Sequence, residues 1–183
     1  MKTVALYGGS FDPPHIGHEA IIEALGKLNF IDDIIIMPTF LNPFKESFTA
    51  PPALRLEWLQ KNFSDYKNVK VSSFEIDKKR KVPAIESVKM LRNKYDKIYL
   101  VIGADNLKSL ENWYKYNELK ELVTFIVATR KNSSSVPQHF ITLDVDEDIS
   151  SSQLRENIDI SKLPKKCASE IAHYYKEHNA KQN

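Results

Sequence analysis

Short apolar runs alternate with helix-like segments along most of this chain. The runs are typical of buried strands and lie at 4–6, 34–37, 69–71, 98–102 and 125–128. The segments with apolar residues at helical spacing lie around 17–28, 52–63, 85–94, 106–121 and 151–157. This alternation predicts an α/β fold of the Rossmann-like, doubly wound kind, in which helices cover both faces of a parallel sheet. A small helical part, about 150–178, is expected to end the chain.

Length and composition narrow the class of protein. A chain of 183 residues can bury a sizeable core, so we expect a single domain over 1–183. The 26 Lys and Arg residues against 24 Asp and Glu give a formal charge of only +2, which argues against nucleic acid as a partner. Cys167 is the single cysteine, and no segment has the pattern of a signal peptide or a membrane span. We therefore expect a cytoplasmic protein without membrane contact, and a homo-oligomer is left open.

The stretch Gly8-Gly9-Ser10-Phe11-Asp12-Pro13-Pro14-His15-Ile16-Gly17-His18 joins the first predicted strand to the first predicted helix. Gly8 and Gly9 have no Cβ, so we expect a turn whose backbone a ligand can approach closely. The helix start offers unpaired N–H groups and the positive end of the helix dipole to phosphate. His15 and His18 lie on one face of that helix start and can donate hydrogen bonds to phosphoryl oxygens. The stretch therefore predicts a phosphate site.

Simpler interpretations of this stretch exist. A pair of glycines at a strand end is most often only a turn. Two histidines could form half of a zinc site, yet the remaining histidines, His139, His173 and His178, form no second cluster with a cysteine. The stretch also lacks the Gly-Lys-Ser/Thr ending of a P-loop and the third glycine of the dinucleotide motif. A phosphate site of another kind, with no metal held by the protein, is the interpretation that remains.

A second candidate stretch follows the predicted strand at 98–102. Gly103 at the strand end and Asp105 just beyond it suit a ribose, whose hydroxyls can donate to the carboxylate. The alternative is that Asp105 only caps the next helix. Trp113 and Tyr114 could stack on a planar ring, although a tryptophan is more commonly part of the core. Because ligands of parallel sheets bind at the carboxyl ends of strands, these residues are expected at the same edge as the first stretch.

Two cationic residues could also reach a phosphate. Lys45 ends a proline-rich loop after the strand at 34–37, although most loop lysines are merely solvated. Ser150 and Gln153 form a capping-box pattern, and three successive serines at a helix start could hold an anion. Arg155, one turn into that helix, has a planar guanidinium suited to phosphate. The alternative for this last stretch is an ordinary capped helix with a surface arginine.

Taken together, four stretches of this chain resemble the bacterial nicotinate-nucleotide adenylyltransferases. The resemblance extends over nearly the whole chain. The first is the Gly8 to His18 stretch, within which His15-Ile16-Gly17-His18 also matches a signature of the wider nucleotidylyltransferase superfamily and of class I aminoacyl-tRNA synthetases. The others are Gly103-Ala104-Asp105-Asn106-Leu107 with Trp113, Phe125-Ile126-Val127-Ala128-Thr129-Arg130, and Ile149-Ser150-Ser151-Ser152-Gln153-Leu154-Arg155. Their common order and spacing make the resemblance far more specific than any one motif.

The resemblance implies adenylyl transfer from ATP to nicotinate mononucleotide, which gives deamido-NAD and pyrophosphate. It implies that the catalytic residues are His15, His18, Lys45 and Arg155. Of these, His15, His18 and Arg155 are also implied to bind ATP, together with Gly8, Gly9, Ser10, Phe11, Gly103, Asp105, Ile149 and Ser150. Mg²⁺ would accompany the phosphates and be bound through substrate oxygens. The pyridine nucleotide would be bound by Ala84, Trp113, Tyr114 and Arg130.

The acceptor is the least constrained part of this interpretation. The family commonly has a Ser-Tyr-Thr run that places a backbone N–H on the nicotinate carboxylate. The corresponding stretch here is Val82-Pro83-Ala84, in which the hydroxyls are absent and Pro83 has no N–H. The N–H groups of Ala84 and Tyr114 remain. Nicotinamide mononucleotide and phosphopantetheine therefore stay open as acceptors, and a non-catalytic nucleotide-binding module stays open as an alternative.

Overall fold

The computed structural model describes residues 1–130 and 135–182, and its centre is a parallel sheet of six strands in the order β3-β2-β1-β4-β5-β6. The strands are β1 (Thr3–Gly9), β2 (Asp33–Pro38), β3 (Val69–Val71), β4 (Lys97–Gly103), β5 (Thr124–Thr129) and β6 (Ile141–Asp144). The chain winds outward from β1 to β3 and then returns to place β4 on the other side of β1. The point between β1 and β4 is where ligands bind in doubly wound sheets.

Seven α-helices are found in the described part of the chain. They are α1 (Ile16–Gly26), α2 (Pro52–Asn62), α3 (Phe74–Asp77), α4 (Ala84–Arg92), α5 (Tyr116–Leu122), α6 (Ser151–Glu156) and α7 (Ala168–Gln182). Two 3₁₀ helices, Ala104–Asn112 and Ile160–Lys162, lie between them. The helical part predicted over about 150–178 corresponds to α6, the second 3₁₀ helix and α7. Within the described ranges, no helix is long and apolar enough to cross a membrane.

Helices cover both faces of the sheet, as the sequence predicts. Successive side chains of a strand point to opposite faces, and β1 shows the result. Ala5 and Tyr7 belong to the core cluster that contains residues of α1 and α2, whereas Val4 and Leu6 belong to the cluster that contains residues of α4 and α5. The Rossmann-like, doubly wound fold is therefore confirmed.

A third apolar cluster attaches the C-terminal part to α2. Its buried members include Trp58, Leu154, Cys167, Ile171 and Tyr175. Burial raises the pKa of the Cys167 thiol to about 12, so this cysteine is an inert, packed side chain. This packing places the start of α6 beside the loop between β1 and α1. There the Ser151 hydroxyl donates to the carbonyl of Pro13 at 2.9 Å.

Two details predicted from the sequence are wrong. Gly8 and Gly9 are not a turn, because β1 continues through Gly9 and the chain leaves the strand only at Ser10. The predicted helix at 106–121 is interrupted: the 3₁₀ helix ends at Asn112, and Lys115 adopts a left-handed conformation with φ of 54° before α5 begins at Tyr116. Apolar spacing does not reveal this break, because the side chains on both sides of it pack into the same core cluster.

One strand was absent from the sequence prediction. β6 is an edge strand of four residues, of which only Leu143 is buried. A strand with a single buried side chain produces no run of apolar residues, which is the pattern on which the prediction depended.

Candidate active site

A cleft of about 920 Å³ opens at the carboxyl ends of β1, β4 and β5. Most of the residues predicted for the site line it: Gly8, Gly9, Phe11, His15, His18, Ala84, Gly103, Asp105, Trp113, Tyr114, Arg130 and Ile149. The remaining four, Ser10, Lys45, Ser150 and Arg155, are not part of its wall. The cleft lies at the switch in strand order beside β1, where a doubly wound sheet leaves room for a ligand.

The two histidines hold each other in place at the start of α1. His15 is the N-cap residue, and its Nδ1 accepts a hydrogen bond from the Gly17 N–H at 3.1 Å. His18 Nδ1 accepts from the His15 N–H, also at 3.1 Å, so the pair forms a reciprocal capping box. Their rings stack with centroids 3.6 Å apart. Because each Nδ1 is an acceptor, the hydrogen of each neutral ring is on Nε2.

Both histidines are uncharged at neutral pH. Burial, and to a smaller extent the Arg130 charge, lowers the pKa of His15 to about 3. Burial also holds the pKa of His18 well below its usual value, and the charges of His15 and Arg130 act in the same direction. The two Nε2–H groups are therefore permanent hydrogen-bond donors across the physiological range, with no positive charge of their own.

Gly17 and Gly103 each leave space that is occupied by a side chain two residues away in the sequence. A Cβ on Gly17 would lie 2.9 Å from ring atoms of His15, which is too close for the stacked pair to remain where it is. A Cβ on Gly103 would lie 2.5 Å from Oδ1 of Asp105. Asp105 does not cap the 3₁₀ helix, since Gly103 is the N-cap residue and no side chain bonds there, so the capping alternative is wrong. Its carboxylate instead lines the cleft.

Trp113 and the start of α4 lie at another part of the cleft. Trp113 is half-buried against the apolar cluster of α4 and β4, and it also lines the cleft. Tyr114 beside it is 61% exposed. Helix α4 begins at Ala84, and its N-cap residue, Pro83, makes no side-chain capping bond. The first N–H groups of α4 therefore lack a side-chain partner and are available to an anion.

The cationic residues predicted from the sequence meet at the loop between β1 and α1, beside the cleft. The Lys45 ammonium lies 3.4 Å from the Ser10 hydroxyl, and the Arg155 guanidinium donates to the Asp12 carbonyl at 2.6 Å. Partial burial lowers the pKa of Lys45, and the charge of Arg155 lowers it further. Lys45 and Arg155 are thus two like charges held near one loop, an arrangement that an anion would stabilise.

The serines at the start of α6 are already bonded within the protein. Ser150 is the N-cap residue, as the capping-box pattern predicts, and its oxygen accepts from the Gln153 N–H at 3.4 Å. The Ser152 oxygen accepts from Arg155 at 3.1 Å. Because both hydroxyls act as acceptors in these bonds, each keeps a hydrogen to donate.

Comparison with known proteins adds to this geometry. Residues 6–157 match the model of the Cytidylyltransferase-like family. The sequence is 63% identical to a probable nicotinate-nucleotide adenylyltransferase of Sulfurimonas denitrificans, with 99% of each chain covered. The chain belongs to the nicotinate-nucleotide adenylyltransferase family. A second relative with the same description, from Nitratiruptor sp., is 50% identical over 94% of this chain and 98% of its own. The resemblance read from the sequence is therefore confirmed.

Two solved structures of a Plasmodium falciparum nicotinic acid mononucleotide adenylyltransferase have the same fold. The complex with NaAD has a TM-score of 0.76 at 20% identity and covers 98% of this chain and 97% of the other. The complex with APC has a TM-score of 0.73 at 18% identity and covers 98% and 96%. At these identities the likeness shows a shared fold.

Asp12 is a residue of this chain whose structural role the sequence did not indicate. Its buried carboxylate accepts from the N–H groups of Thr49 at 2.7 Å and Ala50 at 2.9 Å, and from the Tyr175 hydroxyl of α7. One side chain thus connects the loop before His15 to the loop before α2 and to the C-terminal helix. Asp12 lies within the first motif, but nothing in its spacing indicates partners so distant in sequence.

Arg55 is the second residue that the sequence did not indicate. It is only 1% exposed, and its guanidinium donates to three carbonyls: Ala50 at 2.9 Å, Ser10 at 2.5 Å and Phe40 at 3.0 Å. These bonds fix the backbone of Ser10 relative to the loop that contains Lys45. An arginine in a helix is usually solvated, so its position in α2 gave no signal of burial.

Proposed function

We propose that the protein transfers the adenylyl group of ATP to nicotinate mononucleotide and releases pyrophosphate, a reaction of NAD biosynthesis. The observation that carries this proposal is that one cleft holds two neutral histidine donors, Asp105, Trp113 and the uncapped start of α4. Membership of the nicotinate-nucleotide adenylyltransferase family supports it. A cytoplasmic location and a single domain over 1–183 belong to the same proposal, and a homo-oligomer stays a prediction.

The reaction requires positioning and stabilisation of charge more than a protein nucleophile. An oxygen of the nicotinate mononucleotide phosphate forms a bond to the α-phosphorus of ATP, and the bond from that phosphorus to pyrophosphate breaks. Negative charge shifts onto the transferring and leaving oxygens. The Nε2–H groups of His15 and His18 are donors suited to that charge, and they require no proton transfer to act.

The other ATP contacts follow from where the site residues lie. We assign Gly103 and Asp105 to the ribose and Ile149 and Ser150 to the adenosine. Ser10, Lys45 and Arg155 would hold phosphates from the neighbouring loop, where the pair of like charges lies. Gly8 has no close internal neighbour that explains its small size, since a Cβ there would be 3.7 Å from the nearest atom, the carbonyl oxygen of Met37. Its place on the cleft wall beside Gly9 and Phe11 is consistent with close approach by a nucleotide.

Mg²⁺ fits this site as a companion of the substrate. Across residues 1–130 and 135–182, no group of three or more His, Cys, Asp or Glu side chains is placed to hold a metal ion. Both carboxylate oxygens of Asp12 already accept hydrogen bonds from the protein. In this proposal the ion would be held mainly by phosphate oxygens and would neutralise charge on the leaving pyrophosphate.

Pyrophosphate release tests the proposal directly. ATP is offered with nicotinate mononucleotide, nicotinamide mononucleotide or phosphopantetheine in separate reactions. Release with nicotinate mononucleotide is the expected result. Release only with phosphopantetheine would assign a different acceptor, and ATP binding without release in any reaction would identify a non-catalytic nucleotide-binding module.

Replacing Trp113 by alanine is expected to raise the Michaelis constant for the pyridine nucleotide more than that for ATP. The stacking surface for the pyridine ring is lost, and an aromatic pair contributes about 0.5–1.5 kcal/mol beyond the area it buries. Steady-state kinetics with each substrate varied in turn measure both constants. Phe30→Ala, which removes an exposed aromatic ring in the loop between α1 and β2, is the control and should change neither. Equal increases in both constants for Trp113→Ala would contradict ring stacking.

Replacing Gly103 by alanine is expected to raise the Michaelis constant for ATP by roughly 10–100-fold, since hydrogen bonds to a charged group contribute about 1.5–3 kcal/mol. The new Cβ would displace the Asp105 carboxylate from its place on the cleft wall. The control is Gly26→Ala, because a Cβ there meets nothing within 4 Å. An unchanged constant for ATP in Gly103→Ala would show that Asp105 does not bind the ribose.

A further inference from the structure

A buried carboxyl group lies in the wall of the cleft beside the start of α4. Glu75 on α3 is 6% exposed, and Ser87 on α4 is 1% exposed. The Ser87 hydroxyl donates to Oε1 of Glu75 at 2.7 Å. Both residues line the cleft. The reaction as described above uses neither of them.

Only one oxygen of this carboxyl group is bonded within the described ranges of the chain, because the Ser87 hydroxyl is its one hydrogen-bond partner and it takes part in no ion pair there. Burial raises the pKa of Glu75 to about 7; the Ser87 bond opposes this change, and the Glu86 charge adds to it. Near neutral pH both forms of the carboxyl group are therefore populated, and Oε2 is left for a ligand.

Charged groups reach this part of the cleft from several elements. Glu86 on α4 is the one that affects the pKa of Glu75, and it forms an ion pair with Arg80 at 2.7 Å. The other charged residues of the cleft wall are Asp105 and Lys108 on the 3₁₀ helix, Arg130 after β5, and Glu147 and Asp148 before α6. No cation pairs directly with Glu75 in the described part of the chain, so its charge depends on pH and on the ligand.

The two pyridine nucleotides differ in the group that such a carboxyl would meet. The carboxylate of nicotinate only accepts hydrogen bonds, whereas the carboxamide of nicotinamide has two N–H donors and one acceptor. A protonated glutamic acid donates one O–H, and an ionised one only accepts. Protonated Glu75 therefore complements nicotinate, and ionised Glu75 repels it and complements nicotinamide.

We propose that Glu75 is a specificity-determining residue of the acceptor site, whose carboxyl group contacts the substituent of the pyridine ring. In its protonated form it donates a hydrogen bond to the carboxylate of nicotinate mononucleotide, and in its ionised form it accepts one from the carboxamide of nicotinamide mononucleotide. This inference rests on the proposed function. It also supplies a side-chain donor in a chain whose Val82-Pro83-Ala84 stretch has no hydroxyl to offer.

The test is the pH dependence of the ratio of kcat/KM for nicotinate mononucleotide to that for nicotinamide mononucleotide. Each acceptor carries the same phosphate, so titration of that phosphate cancels in the ratio. We expect the ratio to fall roughly 100-fold from about pH 6 to about pH 8, because the protonated fraction that serves nicotinate falls about tenfold while the ionised fraction that serves nicotinamide rises about tenfold. In Glu75→Gln the amide donates at every pH, so the ratio should stay nearly constant.

A second variant tests the same residue without replacing it. Ser87→Ala removes the hydrogen bond that lowers the pKa of Glu75, so the fall in the ratio should move to higher pH. Glu86→Gln is the matched control, since this carboxylate is near the same helix start but is paired with Arg80. It should keep the fall and move it slightly to lower pH, because the Glu86 charge raises the pKa of Glu75.

The outcomes separate the inference from the proposed function. The same fall in Glu75→Gln as in the unsubstituted protein, or no fall in either, would overturn the role of Glu75. Absence of pyrophosphate release with both pyridine nucleotides would instead overturn the proposed function. If circular dichroism shows that Glu75→Gln is unfolded, Ser87→Ala becomes the test. A fall in the ratio that moves to higher pH in Ser87→Ala supports the role of Glu75, and a fall that does not move to higher pH overturns it.

Discussion

Replacing His18 by alanine is expected to lower turnover by about 10²–10³, which corresponds to about 2.7–4 kcal/mol in the activation free energy, as for one lost oxyanion-type donor. The Nε2–H of His18 is a fixed donor in a buried site, and water entering in its place has no fixed orientation. ATP should still bind, because His15 and the loop cations remain. The measurements are kcat for pyrophosphate release and the ATP dissociation constant by calorimetry.

Two further observations are needed to interpret that variant. His18 Nδ1 also accepts the His15 N–H, so His18→Ala loses part of a helix cap, which costs about 0.5–2 kcal/mol of stability. Thermal unfolding will show whether the variant is folded at the assay temperature. His173→Ala removes an exposed imidazole on α7, whose side chain is 75% exposed, and should leave turnover unchanged. Turnover of His18→Ala close to that of the unsubstituted enzyme would contradict the role of His18 as a charge-stabilising donor.

The core of the fold could be predicted because its signal is local. Four of the six strands, β1, β2, β4 and β5, are runs of mostly apolar residues that the sheet buries on both faces, and this burial is what makes the runs continuous in sequence. The edge strand β6 was missed because three of its four residues are exposed. The break between Asn112 and Tyr116 could not be predicted because it depends on one left-handed residue, Lys115, that no sequence pattern marks.

The site could be predicted only in part, for a related reason. His15, His18 and the glycines act over spacings of two or three residues, so their arrangement can be read from the chain. Asp12 and Tyr175 are 163 residues apart, and Arg55 reaches Ser10 across 45 residues. Contacts of this kind arise from tertiary packing, and a single sequence carries no spacing rule for them.

Glu75 illustrates the same limit in the wall of the cleft beside α4. In the sequence it is one of many charged residues near a basic run, and such residues are usually solvated. In the structure α3 and α4 enclose it, and Ser87 occupies one of its oxygens. Its chemistry depends on this burial, because only a desolvated carboxyl group titrates near neutral pH.

Arg55 shows how strongly the loop between β1 and α1 depends on residues outside it. The carbonyls of Ser10, Phe40 and Ala50 all point to one guanidinium, and the carboxylate of Asp12, just after Ser10, accepts the N–H groups of Thr49 and Ala50. The loop between β1 and α1 and the loop between β2 and α2 are therefore held by one set of buried polar contacts. Loss of a single member leaves the others without partners in a low-dielectric environment.

Replacing Arg55 by methionine is accordingly expected to reduce the free energy of unfolding by about 3–5 kcal/mol, the usual loss when one member of a buried charged network is removed. Methionine keeps much of the apolar part of the arginine side chain, so the substitution leaves little cavity. The loss of stability therefore comes mainly from the three carbonyls that lose their donor and from the Asp12 charge, which is no longer compensated. Urea unfolding followed by circular dichroism measures this change in the free energy of unfolding.

Arg92→Met is the matched control. Arg92 also donates to a carbonyl, that of Asp96 at 2.6 Å, but it does so at an exposed site, where substitutions usually change stability by about 0.5 kcal/mol or less. Equal unfolding midpoints in the two variants would show that the Arg55 contacts do not stabilise the fold. A large loss in Arg55→Met alone would show that the same contacts that place Ser10 beside Lys45 also stabilise the fold.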